Sequence, residues 1–368
     1  MKILVTGAKG FIAKNLIVEL HNRGYQDIFL CDSDTEKEQL EEYLNECDVI
    51  VHLAGVNRPE NEEEFYSVNE GFTEYITDYL VRNNRSPYII FSSSIQAELD
   101  NAYGVSKQNA ENVLIKYKTD ANAEISIFRF PNVFGKWCRP NYNSVVATFC
   151  HNVANGKDIC IHDENARVQL VYIDDVVDTI ITQIETKAQK DIFVSVSPIY
   201  NVTVGQLADL IYSFRDSRMN LQIPNVSDEF EKKLYSTYLS YLDINDFSYK
   251  LKMNEDVRGS FTEFIHTEAG GQVSVNIAKP GITKGNHWHH TKVEKFLVVK
   301  GQALIQFRHM ITNEKVEYKV SGDVMEVVDI PVGYTHNIKN IGEEDLVTVM
   351  WANECFNPDK PDTFFEVV

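Results

Sequence analysis

The chain has 368 residues, more than a single hydrophobic core usually supports, so we expect two domains. Hydrophobic residues make up 43% of the chain and no apolar run is long enough to cross a bilayer, so we expect a soluble protein without a membrane partner. The net charge of −19 repels polyphosphate chains and argues against nucleic acid as a partner, although a few basic side chains can still hold a small anion.

The N-terminal sequence and the cysteines indicate the compartment. Residues 1–5 run directly into a glycine loop, which leaves no room for a targeting leader. The six cysteines are scattered without a paired spacing, so we expect free thiols in a reducing environment. Both observations favour a cytoplasmic protein.

The first two thirds of the chain alternate short apolar runs with longer amphipathic ones. The apolar runs, which we interpret as buried strands, are Ile3–Thr6, Ile28–Cys31, Val49–His52, Tyr88–Phe91 and Ile125–Phe128. The amphipathic runs predict helices over Phe11–Asn22, Phe65–Arg82 and Tyr103–Lys118. This alternation predicts a Rossmann-like, doubly wound parallel sheet in a first domain of residues 1–243.

The pattern changes after a helix predicted over Phe230–Leu242. Short β-rich runs, separated by glycine and proline turns, then follow at Val273–Ile277, Lys295–Val299, Ala303–Phe307 and Leu346–Met350. No long amphipathic segment interrupts them. We therefore predict an all-β domain over residues 244–368.

A glycine loop, Gly7-x-x-Gly10-x-x-Ala13, follows the first predicted strand and opens the first predicted helix. Backbone N–H groups and the helix dipole can meet a pyrophosphate there. Asp32 ends the second strand, where a carboxylate reads a ribose hydroxyl and favours NADH. Lys9 in the loop could instead offset the extra phosphate of NADPH, so the choice of nicotinamide stays open.

Tyr103 and Lys107 lie one helical turn apart and share a face. The ammonium is expected to lower the phenol pKa, so that Tyr103 can pass a proton at neutral pH. Such a pair alone is usually a solvated face. Here it occurs with the glycine loop and with four further motifs in order, namely His52–Gly55, Phe91–Ser94, Arg129–Gly135 and Tyr172–Val176.

These motifs resemble the extended short-chain dehydrogenase/reductase family, which includes nucleotide-sugar epimerases and dehydratases. The resemblance implies that Ser94, Tyr103 and Lys107 are catalytic, with Ser94 holding the substrate carbonyl beside the phenol. The implied contacts of NADH or NADPH are Gly7, Lys9, Gly10, Phe11, Ile12, Asp32, Leu53, Ala54, Gly55, Tyr103 and Lys107. The implied contacts of the nucleotide sugar are Asn132, Lys136, Arg139 and Arg167. The gap from Ser94 to Tyr103 is unusually short for this family.

Two further motifs lie in the all-β part. They read Gly281-x5-His287-x-His289-x4-Glu294-x6-Gly301 and Pro331-x-Gly333-x2-His336-x3-Asn340. Alternate strand residues share a face, so His287 and His289 can both face the interior, while Trp288 and His290 point elsewhere. With Glu294 and His336 they form a set suited to a divalent metal, zinc first, or iron, manganese or nickel. The motifs resemble the cupin (jelly-roll) family.

The stretch Asp256–Phe264 also resembles the opening strands of the deoxysugar 4-keto epimerases, which are cupin-like barrels. In that family the histidine matching His287 is the base that removes a proton beside the ketone. Those epimerases lack the neighbouring metal-type residues, so His287 is either a metal ligand or a catalytic base. Tyr334 is a candidate for proton transfer on the other sugar face.

Joined in this order, the halves resemble bifunctional UDP-sugar epimerase/reductases of capsular polysaccharide synthesis in the UDP-N-acetyl-L-fucosamine pathway. That resemblance implies that the cupin inverts carbon 3 of a UDP-4-keto-6-deoxy-N-acetylhexosamine and that the reductase reduces carbon 4. The product would be UDP-2-acetamido-2,6-dideoxy-L-talose. Three alternatives remain, namely a structural or dimerising cupin, a cupin dioxygenase and a nucleotide sensor. We expect a homodimer.

Overall fold

The computed structural model describes residues 1–186, 191–267, 270–359 and 361–368. The chain divides into two compact units. The first comprises Met1–Tyr212 and Lys233–Asp243, and the second comprises Ser213–Lys232 and Ile244–Val368. A boundary drawn after residue 243 leaves residues 213–232 in the first domain. They cluster with the second unit, where a short strand within them pairs with the all-β sheet.

The first nine strands belong to the first unit. They are β1 (Ile3–Thr6), β2 (Ile28–Cys31), β3 (Val49–His52), β4 (Tyr88–Ser94), β5 (Ile125–Phe130), β6 (Asn132–Phe134), β7 (Arg167–Tyr172), β8 (Phe193–Val194) and β9 (Tyr200–Thr203). The α-helices are α1 (Phe11–Asn22), α2 (Lys37–Glu46), α3 (Phe72–Arg82), α4 (Ala102–Asp120), α5 (Val145–Ala154), α6 (Ile173–Thr186), α7 (Val204–Asn220) and α8 (Glu229–Leu239). A π-helix (Phe65–Gly71) precedes α3, and a 3-10 turn (Ile95–Glu98) precedes α4.

Six strands of the first unit form a parallel sheet in the order β2-β1-β3-β4-β5-β8. Strands β1 and β3 are buried along their whole length, because helices cover both faces of such a sheet. The winding reverses between β1 and β3, and ligands bind at the carboxyl ends of strands at such a switch point. The predicted doubly wound fold is confirmed. The helix predicted over Phe65–Arg82 is instead a π-helix followed by α3.

The second unit contains the remaining strands. They are β10 (Gln222–Ile223), β11 (Asn254–Asp256), β12 (Gly259–Thr267), β13 (Gln272–Ala278), β14 (Thr283–Trp288), β15 (Glu294–Lys300), β16 (Gln302–His309), β17 (Lys315–Ser321), β18 (Val327–Ile330), β19 (Tyr334–Asn340), β20 (Leu346–Ala352) and β21 (Phe364–Phe365). One sheet has the order β10-β12-β13-β20-β15-β18 with β11 on β12, and the other has the order β17-β16-β19-β14-β21.

All pairings in the second unit are antiparallel except that of β10 with β12. Inward residues of both sheets form one apolar core, which includes Phe296, Ile305 and Ile338. This confirms the predicted all-β domain. Across the described residues, the helices are all too short or too polar to span a bilayer.

Candidate functional site

The turn between β1 and α1 requires glycine at its first position. Gly7 has φ +66°, and a Cβ there would lie 2.8 Å from the Cα of Ala54, in the segment after β3. The Gly10 N–H donates to the Gly7 carbonyl over 2.8 Å, and Gly10 is the N-cap of α1. The loop therefore lies directly on the end of β3 and leads into a helix N-terminus, which favours an anionic phosphate group.

Two carboxylates hold Lys9 in that loop. Asp32 accepts a hydrogen bond from the Lys9 backbone N–H over 2.7 Å. The Lys9 ammonium lies 2.6 Å from an Asp34 carboxylate oxygen, and both of these side chains are exposed. The glycine loop is therefore flanked by two carboxylates at the C-terminal end of β2.

The predicted catalytic groups come from β4 and α4. Ser94 ends β4, and Tyr103 and Lys107 follow in the first turns of α4. The Lys107 ammonium donates to the Ser92 carbonyl over 3.0 Å and lies 5.0 Å from the centre of the Phe91 ring. Burial lowers the pKa of Lys107 to about 8.

The phenol of Tyr103 does not follow the sequence-based expectation. Burial raises its pKa, and the interaction with the Ser94 hydroxyl only partly opposes this rise. Lys107 does not contribute the expected lowering. Deprotonation of Tyr103 is therefore unfavourable at neutral pH, so its phenol is held in the proton-donating form.

A close backbone contact explains the short gap between Ser94 and Tyr103. The 3-10 turn lies against the first turn of α4 at Gly104, where a Cβ would lie 2.2 Å from the Gln96 carbonyl oxygen. Asn101 caps the helix by accepting the Gly104 N–H over 2.9 Å. Glycine at this position lets a short connection bring Ser94 and Tyr103 into the same cleft.

These groups line a cleft of about 460 Å³ in the first unit. The predicted residues that line it are Gly7, Lys9, Gly10, Phe11, Ile12, Leu53, Gly55, Ser94, Tyr103, Lys107, Asn132 and Arg139. Trp137, Cys138 and Tyr142 also line it, although only Lys136 and Arg139 were predicted as contacts in this part of the chain.

Two predicted substrate contacts do not line this cleft. The Lys136 ammonium lies 2.5 Å from an Asp174 carboxylate oxygen, so an ion pair holds the side chain. Arg167 is exposed at the start of β7. Asn132, which lines the cleft, pairs with Leu170 of that strand, three residues further along. Their expected roles in binding the nucleotide sugar stay predictions.

Asn69, in the π-helix, supports the cleft and was missed by sequence reasoning. Its side chain accepts the Val56 N–H over 2.9 Å and donates to the Ser106 hydroxyl over 3.0 Å. A Cβ at Gly55 would lie 2.9 Å from the same amide oxygen. Asn69 therefore ties the segment after β3 to α4, and a lone buried amide carries no motif by which to find it.

The second unit brings the four predicted metal-type side chains together. His287 lies on β14, His289 just after it, Glu294 opens β15 and His336 lies on β19. One potential ligand atom from each lies within 4.8 Å of the other three. A Glu294 carboxylate oxygen is 3.2 Å from Nε2 of His336 and 3.4 Å from Nε2 of His289.

A β-bulge determines which side chains of β14 face the cavity. Gly285 and Asn286 both have positive φ, and the register with β19 shifts between Gly285 and His287. Lys284 lines the cavity, so plain alternation from it would turn His287 away. The extra residue restores the inward direction at His287, which also lines the cavity.

The cluster fits a divalent cation. Burial and the nearby His336 lower the pKa of His287 to about 4, so this imidazole is neutral at pH 7. Although burial raises the pKa of Glu294, the nearby imidazoles of His289 and His336 hold it well below its usual range. Nδ1 of His289 bonds to the Asp362 carbonyl, and its buried Nε2 has no hydrogen-bond partner among the described residues. Three imidazoles and one carboxylate match the ligands that zinc accepts.

A cavity of about 520 Å³ opens onto the cluster. Lys284 lines it and donates to the Asn276 side-chain oxygen over 2.8 Å, and burial lowers the pKa of this lysine. Tyr334 does not line the cavity, and its expected role in proton transfer stays a prediction. It pairs with His309 on the neighbouring strand, and the centres of these two rings are 4.9 Å apart.

The two side chains that were expected to point away from the cluster lie together outside the cavity lining. The Trp288 ring centre is 4.5 Å from that of His290 and 5.2 Å from that of Phe364.

Comparisons with known proteins agree with this architecture. Residues 3–202 match the NAD dependent epimerase/dehydratase family, and residues 254–364 match the polysaccharide biosynthesis C-terminal domain. The chain belongs to the NAD dependent epimerase/dehydratase family. It is 44% identical to a UDP-2-acetamido-2,6-beta-L-arabino-hexul-4-ose reductase of Pseudomonas aeruginosa, over 99% of this chain and 98% of that one.

Solved structures extend the likeness to the whole chain. The capsular polysaccharide assembling protein CapF of Staphylococcus aureus is 50% identical, with a TM-score of 0.93 and complete coverage of both chains. CapF with the inhibitor 3-isopropenyl-tropolone matches at 49% identity and a TM-score of 0.90, again over both whole chains. MoeE5 with UDP-glucose and NAD, at 18% identity and a TM-score of 0.55 over 65% of this chain and 98% of that one, shares only the fold.

Proposed function

We propose that the chain is a bifunctional nucleotide-sugar enzyme of capsular polysaccharide synthesis. Its all-β unit, a metal-binding cupin, epimerises carbon 3 of a UDP-4-keto-6-deoxy-N-acetylhexosamine. Its first unit reduces the carbon 4 ketone and yields UDP-2-acetamido-2,6-dideoxy-L-talose. The observation that carries the proposal is one chain holding both a Ser94–Tyr103–Lys107 cleft and a three-histidine, one-carboxylate cluster. The 44% identity to the UDP-2-acetamido-2,6-beta-L-arabino-hexul-4-ose reductase of Pseudomonas aeruginosa supports the substrate class.

In the reduction, the phenol of Tyr103 donates a proton to the carbon 4 oxygen. Its raised pKa keeps it protonated until charge develops on that oxygen. Ser94 orients the ketone, and the Lys107 ammonium supplies positive charge near the reacting oxygen. A bound reduced nicotinamide supplies the hydride.

The carboxylates beside the glycine loop favour NADH as the reductant. Asp32 contacts the Lys9 backbone, and Asp34 engages the Lys9 ammonium. Two carboxylates at this place disfavour the additional phosphate of NADPH, and Lys9 is already paired. The glycine loop and the N-terminus of α1 hold the pyrophosphate.

In the epimerisation, a base in the cavity takes the proton from carbon 3, and a proton donor returns one to the opposite face. The candidate bases that line the cavity are His287, where it is not a metal ligand, and Lys284, whose pKa burial lowers. The negative charge left on the sugar is delocalised onto the carbon 4 oxygen, so a positive centre beside that oxygen lowers the barrier. His287, His289, Glu294 and His336 would hold a divalent ion, and such an ion would supply positive charge when bound. The tropolone inhibitor crystallised with CapF supports a metal, because its two adjacent oxygens suit a chelated cation.

Deuterium uptake and reduction test the two halves separately. The 4-keto sugar nucleotide is incubated with the protein in heavy water, with and without NADH. We expect deuterium at carbon 3 without NADH, and the reduced sugar only with NADH. Tyr103→Phe should abolish reduction and keep the uptake, while His336→Ala should abolish the uptake. The proposal fails if Tyr103→Phe stops the uptake or if His336→Ala leaves it unchanged.

A further inference from the structure

Residues 361–367 bind to the strands that carry two of the clustered histidines. Within this segment β21 pairs with the end of β14, so that Phe365 lies opposite His287. The Glu366 N–H donates to the Asn286 carbonyl over 2.9 Å. The Glu366 carbonyl accepts a hydrogen bond from the Thr335 hydroxyl, next to His336 on β19. One short segment thus holds both strands in place at the cluster.

Asp362, in the same segment, organises the turn that follows β14. Its carboxylate accepts the backbone N–H groups of His290, Thr291 and Lys292 over 2.9, 2.7 and 2.8 Å. It also accepts the Thr291 hydroxyl over 2.9 Å. Its backbone carbonyl accepts Nδ1 of His289. A single residue therefore fixes both the path of the turn and the orientation of this imidazole.

We propose that Asp362 is the positioning residue for the metal ligand His289, an inference that rests on the metal site proposed above. The Asp362 carbonyl holds the proton on Nδ1, which leaves the lone pair of Nε2 for a cation. The carboxylate anchors that carbonyl by binding three consecutive N–H groups of the turn. Without these anchors the carbonyl and the imidazole lose their fixed relation, and His289 no longer points at the other ligands.

Metal affinity and a spectroscopic signature test this role in the full chain. Zinc affinity is measured by competition with a chromophoric chelator, and Co²⁺ absorption bands report the ligand geometry. We expect Asp362→Ala to weaken zinc binding by about 10- to 100-fold, as loss of a residue supporting a ligand does elsewhere. Its Co²⁺ bands should also weaken or shift.

Asp329→Ala is the matched control, because this exposed carboxylate pairs with Lys295 on the neighbouring strand β15. It should leave zinc affinity and the Co²⁺ bands unchanged. Unfolding of the metal-free variants reports any general loss of structure. Thr291→Val removes only the hydroxyl bond to Asp362 and should weaken zinc binding in the same direction by a smaller factor.

A double-mutant cycle separates positioning from general stability. If Asp362 acts through His289, adding Asp362→Ala to His289→Ala should cause no further loss of zinc affinity. Additive losses overturn the inference, as does an Asp362→Ala variant that binds zinc like the wild type. A wild-type chain that binds neither zinc nor Co²⁺ overturns the metal site and this inference together, so the two failures are distinguishable.

Discussion

The cleft of the first unit and the cluster of the second are assembled in different ways. Tyr103 and Lys107 lie on one helix, and Ser94 reaches them through a short turn. In the cluster, His287 and His289 come from β14 and the turn after it, while Glu294 and His336 come from two other strands that meet them only in the folded sheets. The cleft therefore depends on close backbone contacts at glycines, whereas the cluster depends on strand register and on anchors such as Asp362. Substitutions of each kind should harm one activity and spare the other.

The largest expected effect is that of His287→Ala on the second unit. If His287 is a ligand, its replacement should lower zinc affinity by more than the roughly 10- to 100-fold typical of losing a supporting residue. The replacement should also abolish deuterium uptake. If His287 is only a base, the same replacement should leave zinc affinity unchanged and still abolish deuterium uptake. Zinc competition and exchange measurements on one sample separate these roles. Reduction of a 4-keto sugar that already has the product configuration should continue in either case.

Gly104→Ala should damage the first unit. The added methyl would lie 2.2 Å from the Gln96 carbonyl oxygen, so the turn carrying Ser94 must shift from Tyr103. A misplacement of about 1 Å can lower a rate by about 100-fold, which is the loss expected in reduction at unchanged deuterium uptake. Gly71→Ala is the control, because its methyl would be 3.6 Å from the nearest atom. Equal loss in both variants would contradict the steric explanation.

The pH dependence of reduction should show the deprotonation of the Lys107 ammonium. Its pKa is lowered to about 8, so the ammonium is charged below that pH and neutral above it. At pH 9 about a tenth remains protonated, and the rate of reduction should fall about tenfold from its plateau near pH 7. Deuterium uptake by the Tyr103→Phe variant provides the comparison. A fall of the same size near pH 8 in that uptake would assign the effect to another group.

The smallest expected effect concerns the choice of nicotinamide. Asp32→Ala removes one carboxylate beside Lys9, and the preference for NADH over NADPH should shrink by about 5- to 10-fold. The ratio of kcat/KM values for the two reductants measures this preference. Asp27→Ala is the control and should leave the ratio unchanged. Asp27 is an exposed carboxylate that directly precedes β2, whereas Asp32 directly follows that strand. An unchanged ratio in Asp32→Ala would mean that this carboxylate does not read the ribose.

Local spacing explains which features could be predicted from the sequence. Strands such as Ile3–Thr6 and the helix Phe11–Asn22 have the predicted bounds, since apolar runs and a glycine loop mark them directly. The predicted catalytic pair Tyr103 and Lys107 was equally visible, because its spacing of four places both residues on one face of α4. The buried amide Asn69 was not, because its contacts join the segment after β3 to α4. Arg167 and Tyr334 were predicted from their positions near motifs, and neither side chain lines the cavity of its unit. A position along the chain does not determine where the folded strand directs the side chain.

The β-bulge in β14 has a consequence for evolution by insertion and deletion. Without Asn286 the strand would alternate regularly, and Lys284 and His287 would still point to the same side. A larger residue at Gly285 would instead meet the His336 carbonyl oxygen at 3.0 Å in a backbone conformation with φ +97°. The strand could escape that strain by straightening, which would turn the imidazole of His287 outward. In β14, deletion of Asn286 should therefore preserve the direction of the His287 side chain better than a larger residue at Gly285.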